Sequence, residues 1–167
     1  EAIVAELGRM AGLDEADRAR LLALELEVEL ASVSPRPDAL ELFRYARAAG
    51  KRVVLASDMF LPASAIAALL EHHGFAPWDA LYVSSEVGVR KDSGALYAHI
   101  LEREGFAPEQ VIMIGDNERS DLQIPGDAGL RTLHVMRPVE LARAMPRLGP
   151  VVEEVERGDD LDANLGL

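Results

Sequence analysis

Four short apolar runs, each separated from the next by a helical pattern, constrain the fold of this chain more than any other feature. Such alternation is typical of β-α-β units, which build a parallel sheet covered by helices on both faces. The sequence therefore predicts an α/β fold, a Rossmann-like three-layer α/β/α arrangement with a parallel sheet. The predicted strands are residues 52–56, 81–84, 111–114 and 132–135.

Helical patterns fill the intervals between these strands and also precede the first one. Residues 22–30 alternate apolar and acidic side chains as a strand does, but their Leu, Ala and Glu content favours a helix, and we predict a helix there. A short helix interrupted by Pro125 is expected before Gly129. The other predicted helices are residues 1–11, 14–33, 37–49, 62–73, 93–104 and 139–145.

Charge and proline content divide the chain into three parts. Pro35 and Pro37 predict a boundary, which separates a helical segment at residues 1–34 from an α/β core at residues 35–148. The C-terminal residues 149–167 are rich in acidic residues and predict an acidic tail. The net charge of −12 lies mostly at the two ends of the chain. Such a charge argues against non-specific binding to nucleic acid or to anionic lipid.

Composition excludes several further classes of protein. The chain has no cysteine, so disulfide frameworks and thiol chemistry are excluded. It has no run of about 20 apolar residues, so we predict no membrane span. No basic segment precedes an apolar run, so no signal peptide is predicted. We expect a cytoplasmic protein, and because the first residue is Glu1 we expect the chain to begin inside a longer gene product.

Polar side chains follow three of the predicted strands. Ser57 follows the first strand, Lys91 lies in the loop after the second, and Asp116 and Asp121 follow the third. Ligands of open α/β sheets bind outside the carboxyl ends of the strands. We therefore expect these four side chains to converge, with the side-chain tips of Ser57 and Asp116 within roughly 10 Å of each other, the scale of a small-ligand site.

This set of groups suits phosphoryl chemistry. A transferring phosphoryl group needs its position fixed and the charge on its oxygens neutralised. The Ser57 hydroxyl can donate to one oxygen, and the Lys91 ammonium can neutralise another. The carboxylates of Asp116 and Asp121 can hold Mg²⁺, one directly and one through water. The sequence predicts a magnesium and phosphate site formed by these residues.

Neighbouring polar residues have plainer explanations. Asp58 is expected to be a loop residue or a cap of the helix that follows it. For Asp121, the alternative to metal binding is that it caps a helix together with Ser120. Asn117 is expected in a turn, with a possible contact to the site. His134, within a predicted strand, is expected to be structural.

Three stretches of the sequence together resemble the haloacid dehalogenase superfamily of phosphohydrolases. Residues 53–58, 88–91 and 112–121 match that family's second, third and fourth motifs: a strand ending in Ser or Thr, a loop Lys, and a strand ending G-D-x-x-x-x-D. Two shorter stretches are similar to sequences found in domains of this type that are associated with glycosyltransferases. They are S-D-M-F-L-P at residues 57–62 and S-S-E at residues 84–86.

The resemblance implies a Mg²⁺-dependent phosphohydrolase that uses an aspartyl nucleophile. Ser57 and Lys91 would hold the phosphoryl group of a phosphorylated small-molecule substrate, and Asp116 and Asp121 would hold the metal. A glycosyltransferase domain is implied as a possible partner. Residues 1–34 would be the end of a helical cap.

One motif of that family is missing. Its nucleophile is the first Asp of a D-x-D at the end of the first strand, and the D-x-D of this chain is at residues 160–162, in the acidic tail and after no buried strand. We expect the nucleophile strand upstream and the chain alone to be inactive. Without the nucleophile strand, three outcomes are open: strands 52–56 and 111–114 pair directly, another segment takes the place of the missing strand, or that place stays empty. We favour the empty place.

Two further functions stay open beside the phosphohydrolase. One is a non-catalytic binding or scaffolding module beside a glycosyltransferase. The other is a response-regulator receiver, which also uses carboxylates, a hydroxyl and a lysine. In a receiver the acidic pair comes first and the lysine last, the reverse of the order here.

Overall fold

The computed structural model describes residue 6 and residues 8–157, and it divides the chain into two compact units after Pro108. Unit 1 comprises the described residues up to Pro108, and unit 2 comprises those from Glu109 onward. This division does not coincide with the predicted domain boundaries after residues 34 and 148, which stay a prediction.

Unit 1 contains two parallel strands with helices between and around them. Strand β1 (Val54–Ser57) pairs with strand β2 (Ala80–Val83), and Ser57 at the end of β1 lies opposite Val83 at the end of β2. The helices of this unit are α1 (Glu15–Ser32), α2 (Pro37–Ala48), α3 (Ala63–His72), α4 (Ser84–Val87) and α5 (Ala95–Glu104). A 3₁₀ turn at Lys91–Ser93 precedes α5.

The core of unit 1 anchors the ends of its strands. Leu61, in the loop after β1, and Val83, the last residue of β2, are each 1% exposed and belong to one apolar cluster with Ile66 and Leu69 of α3. Leu26 of α1 packs against this cluster. Burial of these side chains fixes the backbone next to the carboxyl ends of both strands.

Helix α1 confirms the helical reading of residues 22–30. The Asp14 carboxylate caps the helix by accepting the backbone N–H of Asp17 at 2.8 Å, as expected for an aspartate at this position. The intrinsic preferences of Leu, Ala and Glu therefore prevailed over the strand-like alternation. Most of the predicted helix at residues 1–11 lies outside the described residues.

Unit 2 repeats the parallel arrangement on a smaller scale. Strand β3 (Ile112–Gly115) pairs with strand β4 (Arg131–His134), and Gly115 lies opposite His134. A π-helix at Glu118–Gln123 runs directly into the short helix α6 (Ile124–Asp127). Two further helices, α7 (Pro138–Ala144) and α8 (Gly149–Glu156), follow β4.

The predicted α/β class is confirmed, and all four predicted strands are present within two residues of their predicted bounds. Each described strand pairs within its own unit, so the direct pairing of strands 52–56 and 111–114 is not found in the described part of the chain. In residue 6 and residues 8–157, no helix combines the length and apolar character needed to cross a membrane.

Residues 149–156 differ from the predicted acidic tail, because they form α8. The helix packs against α7, and an ion pair joins Arg143 of α7 to Glu156 of α8. Apolar residues at positions 151, 152 and 155 form a helical stripe that the charge count concealed. The remainder of the tail, with the D-x-D at residues 160–162, lies outside the described residues.

Candidate active site

The four predicted site residues fall into two clusters. Ser57 and Lys91, together with Asp58, form the unit-1 cluster; Asp116 and Asp121 form the unit-2 cluster. Each cluster lies at or just beyond the carboxyl end of a strand in its own unit, where the sequence places it. The convergence of all four side chains stays a prediction.

Ser57 is the last residue of β1 and is half-buried. Its hydroxyl oxygen accepts the backbone N–H of Met59 at 3.2 Å, which closes a small turn at the strand end. A serine hydroxyl carries its own hydrogen as well as two lone pairs. Ser57 therefore has a fixed oxygen position and an O–H group with which to bind an anionic oxygen.

Asp58 organises the loop that carries Lys91. Both oxygens of its carboxylate accept the backbone N–H of Lys91, at 3.0 and 3.2 Å. Of the two roles expected for Asp58, the loop role is confirmed. The cap role is wrong, because α3 begins at Ala63, and its first N–H donates to Glu86 at 2.7 Å. Gly88 adopts a positive φ of 80° at the end of α4, a conformation that glycine accepts without strain, and this directs the chain toward Lys91.

A set of hydrogen bonds joins the loop after β1 to the segment after β2. We call it the loop clasp, and it consists of the side chains of Asp58, Ser85 and Glu86. Ser85 donates its hydroxyl to the carbonyl of Leu61 at 3.0 Å, while Glu86 and Asp58 accept the N–H groups described above. The S-D-M-F-L-P and S-S-E stretches are therefore hydrogen-bonded to each other, and the clasp links the loop that follows Ser57 to the backbone of Lys91.

Asp121 is the buried acid of unit 2. It is 4% exposed, and among the residues that the structure describes it is the one charged residue that is buried as a whole. Its carboxylate accepts the backbone N–H of Asn117 at 3.2 Å and the hydroxyl of Ser120 at 3.3 Å. These bonds satisfy a buried charge that would otherwise be costly.

The glycine of the G-D-x-x-x-x-D motif makes room for that acid. A Cβ added to Gly115 would lie 2.6 Å from both the Cβ and the Cγ of Asp121. Real side chains do not approach so closely, because protein interiors are packed at van der Waals distances. Gly115 and Asp121 are therefore a matched pair, six positions apart in sequence and in contact in space.

Asn117 caps the N-terminus of the π-helix. Its side-chain oxygen accepts the backbone N–H groups of Arg119 at 3.1 Å and Ser120 at 2.9 Å. The predicted turn role of Asn117 is confirmed. The alternative that Asp121 caps a helix stays open, because its carboxylate accepts the backbone N–H of Asn117 at the start of the π-helix. Short π-helical turns are rare in proteins, but those that occur are often found at functional sites. This π-helix contains the buried Asp121.

Asp116 directly follows β3 and is half-buried. The N–H of Val135 donates to the carbonyl of Gly115 at 2.9 Å, and the Nε2 of His134 lies 3.3 Å from the carbonyl of Asp116. His134 also lies 3.6 Å from a carboxylate oxygen of Glu140. His134 was expected to be structural, and its place beside Asp116 could not be predicted because only the β3–β4 register brings the two residues together.

An ion pair between Arg137 and Glu140 forms at the start of α7, shortly after β4. The pKa of Glu140 is held below its ordinary value, first by the backbone N–H of Arg137 and then by its guanidinium. The pKa of Arg137 is raised, chiefly by Glu140, with contributions from the carboxylates of Asp116 and Glu118. The Arg137 guanidinium therefore lies within the electrostatic field of Asp116.

The donor chemistry of the unit-2 cluster fits Mg²⁺. This ion takes one or two carboxylates and completes its shell with water and substrate oxygens. The carboxylate of Asp116 directly follows β3, and that of Asp121 is held by its hydrogen bonds to Asn117 and Ser120, so both are oxygen donors of the kind that this ion takes. Within residue 6 and residues 8–157, no three His, Asp or Glu side chains form a metal cage.

These features define an α/β protein with polar side chains presented at the carboxyl ends of parallel strands. The family model for haloacid dehalogenase-like hydrolases matches residues 2–129, more than three quarters of the chain. The chain belongs to this hydrolase family.

Solved structures show the same fold. A dehalogenase crystallised with an intermediate complex is 22% identical to this chain, with a TM-score of 0.58 over 78% of this chain and 56% of that one. A HAD phosphatase from Thermococcus onnurineus is 16% identical, with a TM-score of 0.52 over 82% of this chain and 76% of that one. The chain thus spans little more than half the length of the dehalogenase.

Proposed function

We propose that this chain forms the phosphate-holding and metal-holding part of a Mg²⁺-dependent phosphohydrolase that acts on a phosphorylated small molecule. The observation that carries the proposal is the position of the predicted residues: Ser57 closes β1, and Asp116 directly follows β3. Membership of the haloacid dehalogenase-like hydrolase family supports it. We expect the protein to act in the cytoplasm.

In the unit-1 cluster, Ser57 donates its hydroxyl to a phosphoryl oxygen and the Lys91 ammonium neutralises another. Asp58 fixes the backbone of Lys91 through its two N–H···O contacts. Fixed donors of this kind stabilise developing charge because they need no rearrangement during the reaction.

In the unit-2 cluster, Asp116 and Asp121 hold the metal. Bound Mg²⁺ supplies positive charge that stabilises the phosphoryl oxygens. The hydrogen bonds from Asn117 and Ser120 keep the buried Asp121 carboxylate oriented. The packing of Gly115 against Asp121 sets the distance between strand end and π-helix.

The nucleophile is an aspartate supplied from upstream of this chain. Its carboxylate attacks phosphorus, the bond to the leaving oxygen breaks, and water then hydrolyses the aspartyl phosphate and releases inorganic phosphate. The chain alone lacks this group and is expected to show no turnover.

A non-catalytic module beside a glycosyltransferase is the second candidate. The loop clasp favours it. Asp58, Ser85 and Glu86 belong to the stretches that resemble glycosyltransferase-associated domains, and their side chains make structural hydrogen bonds. In addition, residue 6 and residues 8–157 contain no D-x-D.

Phosphate release from a generic aryl phosphate separates the two candidates. The protein extended by its upstream sequence is assayed with Mg²⁺, as wild type, as Asp116→Ala and as Glu118→Ala, an exposed neighbour. We expect release that EDTA abolishes and that Asp116→Ala lowers at least about 100-fold, while Glu118→Ala retains it. No release from the extended protein would favour the non-catalytic module, and robust release from the 167-residue chain would overturn the upstream nucleophile.

A further inference from the structure

His134 lies next to Asp116, one of the two proposed metal ligands of the unit-2 cluster. It is the last residue of β4, and the parallel register sets it opposite Gly115, the residue before Asp116. Its Nε2 atom faces two oxygens, the carbonyl of Asp116 at 3.3 Å and a carboxylate oxygen of Glu140 at 3.6 Å.

The two oxygens determine which ring nitrogen of His134 carries hydrogen. A backbone carbonyl accepts hydrogen bonds and cannot donate, and an ionised carboxylate likewise only accepts. Nε2 must therefore carry the proton that points at Asp116. This assignment follows from the neighbours of the ring and holds for both the neutral and the charged imidazole.

Glu140 is itself held firmly in place. Its side chain is 11% exposed, and it accepts the backbone N–H of Arg137 at 2.6 Å, the Nε–H at 3.0 Å and an Nη2–H at 2.8 Å. The Nε2 atom of His134 therefore faces both an anchored carboxylate on α7 and the peptide that follows β3.

We propose that His134 is a positioning residue for Asp116, and that its Nε2–H bond to the Asp116 carbonyl fixes the backbone from which the Asp116 carboxylate reaches the metal. The inference rests on the proposed function, because it takes Asp116 as a metal ligand. Groups that orient metal ligands in this way typically change metal affinity by 10- to 100-fold when they are removed, on the order found for outer-shell partners.

Mn²⁺ binding to the 167-residue chain tests this role without any catalytic assay. Mn²⁺ accepts the same carboxylate donors as Mg²⁺, and its unpaired electrons broaden the NMR signals of nearby amides. Broadening at Gly115–Asp121 is followed as Mn²⁺ is added to wild type, His134→Ala, His134→Gln and His99→Ala. His99 is the matched control, because it packs against the Tyr82 ring in unit 1.

We expect wild type, His134→Gln and His99→Ala to bind Mn²⁺ alike, since a glutamine amide keeps an N–H donor. His134→Ala should bind about 10- to 100-fold more weakly. Equal affinity in His134→Ala overturns the positioning role. If His134→Ala and His134→Gln lose Mn²⁺ affinity equally, the hydrogen bond from Nε2 is not the basis of the positioning role.

The failure of the proposed function has a different signature. If wild type shows no broadening at Gly115–Asp121, the metal-site assignment is overturned and the role of His134 falls with it. If His134→Ala does not fold, His134→Leu serves in its place, because leucine fills part of the space of the ring and carries no N–H donor. Weaker Mn²⁺ binding by His134→Leu supports the proposal, and unchanged binding overturns it.

Discussion

The two clusters differ in how far apart in sequence their residues lie. In unit 1, Asp58 binds the backbone of Lys91 across 33 positions, and Glu86 binds Ala63 across 23. In unit 2, Asn117 and Asp121 interact across four positions, and Gly115 lies only two residues before Asn117. The unit-1 cluster is thus built by tertiary contacts, whereas the acidic part of the unit-2 cluster is built by one short segment.

The largest expected effect tests the local packing of unit 2. Gly115→Ala places a methyl group against the Cβ of Asp121, an atom fixed to the π-helix backbone that cannot swing aside. We expect the free energy of unfolding to fall by about 1–3 kcal/mol, as for other overpacked sites, measured by urea denaturation.

Gly126→Ala is the matched control for that variant. Gly126 lies in α6, and a methyl group added there would meet no neighbouring side chain within 4 Å. The substitution should therefore be neutral or stabilise the protein by up to about 1 kcal/mol. Equal destabilisation by both substitutions would contradict the pairing of Gly115 with Asp121.

A smaller effect tests the tertiary construction of unit 1. Asp58→Ala leaves the partly buried N–H of Lys91 without its acceptor, so we expect a loss of about 1 kcal/mol and faster hydrogen exchange at the Lys91 amide. Asp58→Asn keeps one acceptor oxygen and should retain most of the protection.

Asp92 offers a control in the same loop. It pairs with Arg90, and both side chains are largely exposed, so Asp92→Ala should change the stability by less than about 0.5 kcal/mol. If Asp58→Ala leaves exchange at Lys91 unchanged, the loop clasp does not position that residue.

The smallest expected effect concerns an ion pair that also spans unit 1. The pKa of Glu104 is lowered, first by the hydrogen bond from Arg52 and then by the one from Tyr82. A lowered pKa in the folded state contributes stability that is fully present above the unfolded value, about 4.3 for Glu, and that is lost as the pH falls through the lower folded value.

The advantage of wild type over Glu104→Gln should therefore be largest near neutral pH and should shrink on acidification below about pH 4.3. Denaturation of both proteins at several pH values measures it. Tyr82→Phe, which removes the second partner, should reduce the pH-dependent part without abolishing it. A difference that does not vary with pH would contradict the assignment to Glu104.

The contrast between the clusters also explains what the sequence could predict. The motif from Gly115 to Asp121 is readable because its contacts are local, and the strand ends are readable from short apolar runs. The partner of Asp58 could not be predicted, since Lys91 reaches it only after β1 and β2 pair. The place of His134 beside Asp116 could not be predicted for the same reason, because it follows from the strand register.

The central claim is that the two clusters serve one phosphoryl-transfer reaction, and thermodynamic coupling between them tests it most directly. Binding of inorganic phosphate to the 167-residue chain is followed by the amide NMR shifts of Ser57 and Lys91, with and without Mg²⁺, in wild type and in Asp116→Ala. We predict that Mg²⁺ tightens phosphate binding by at least about fivefold in wild type and has no such effect in Asp116→Ala. Equal phosphate affinity with and without Mg²⁺ in wild type would contradict the account.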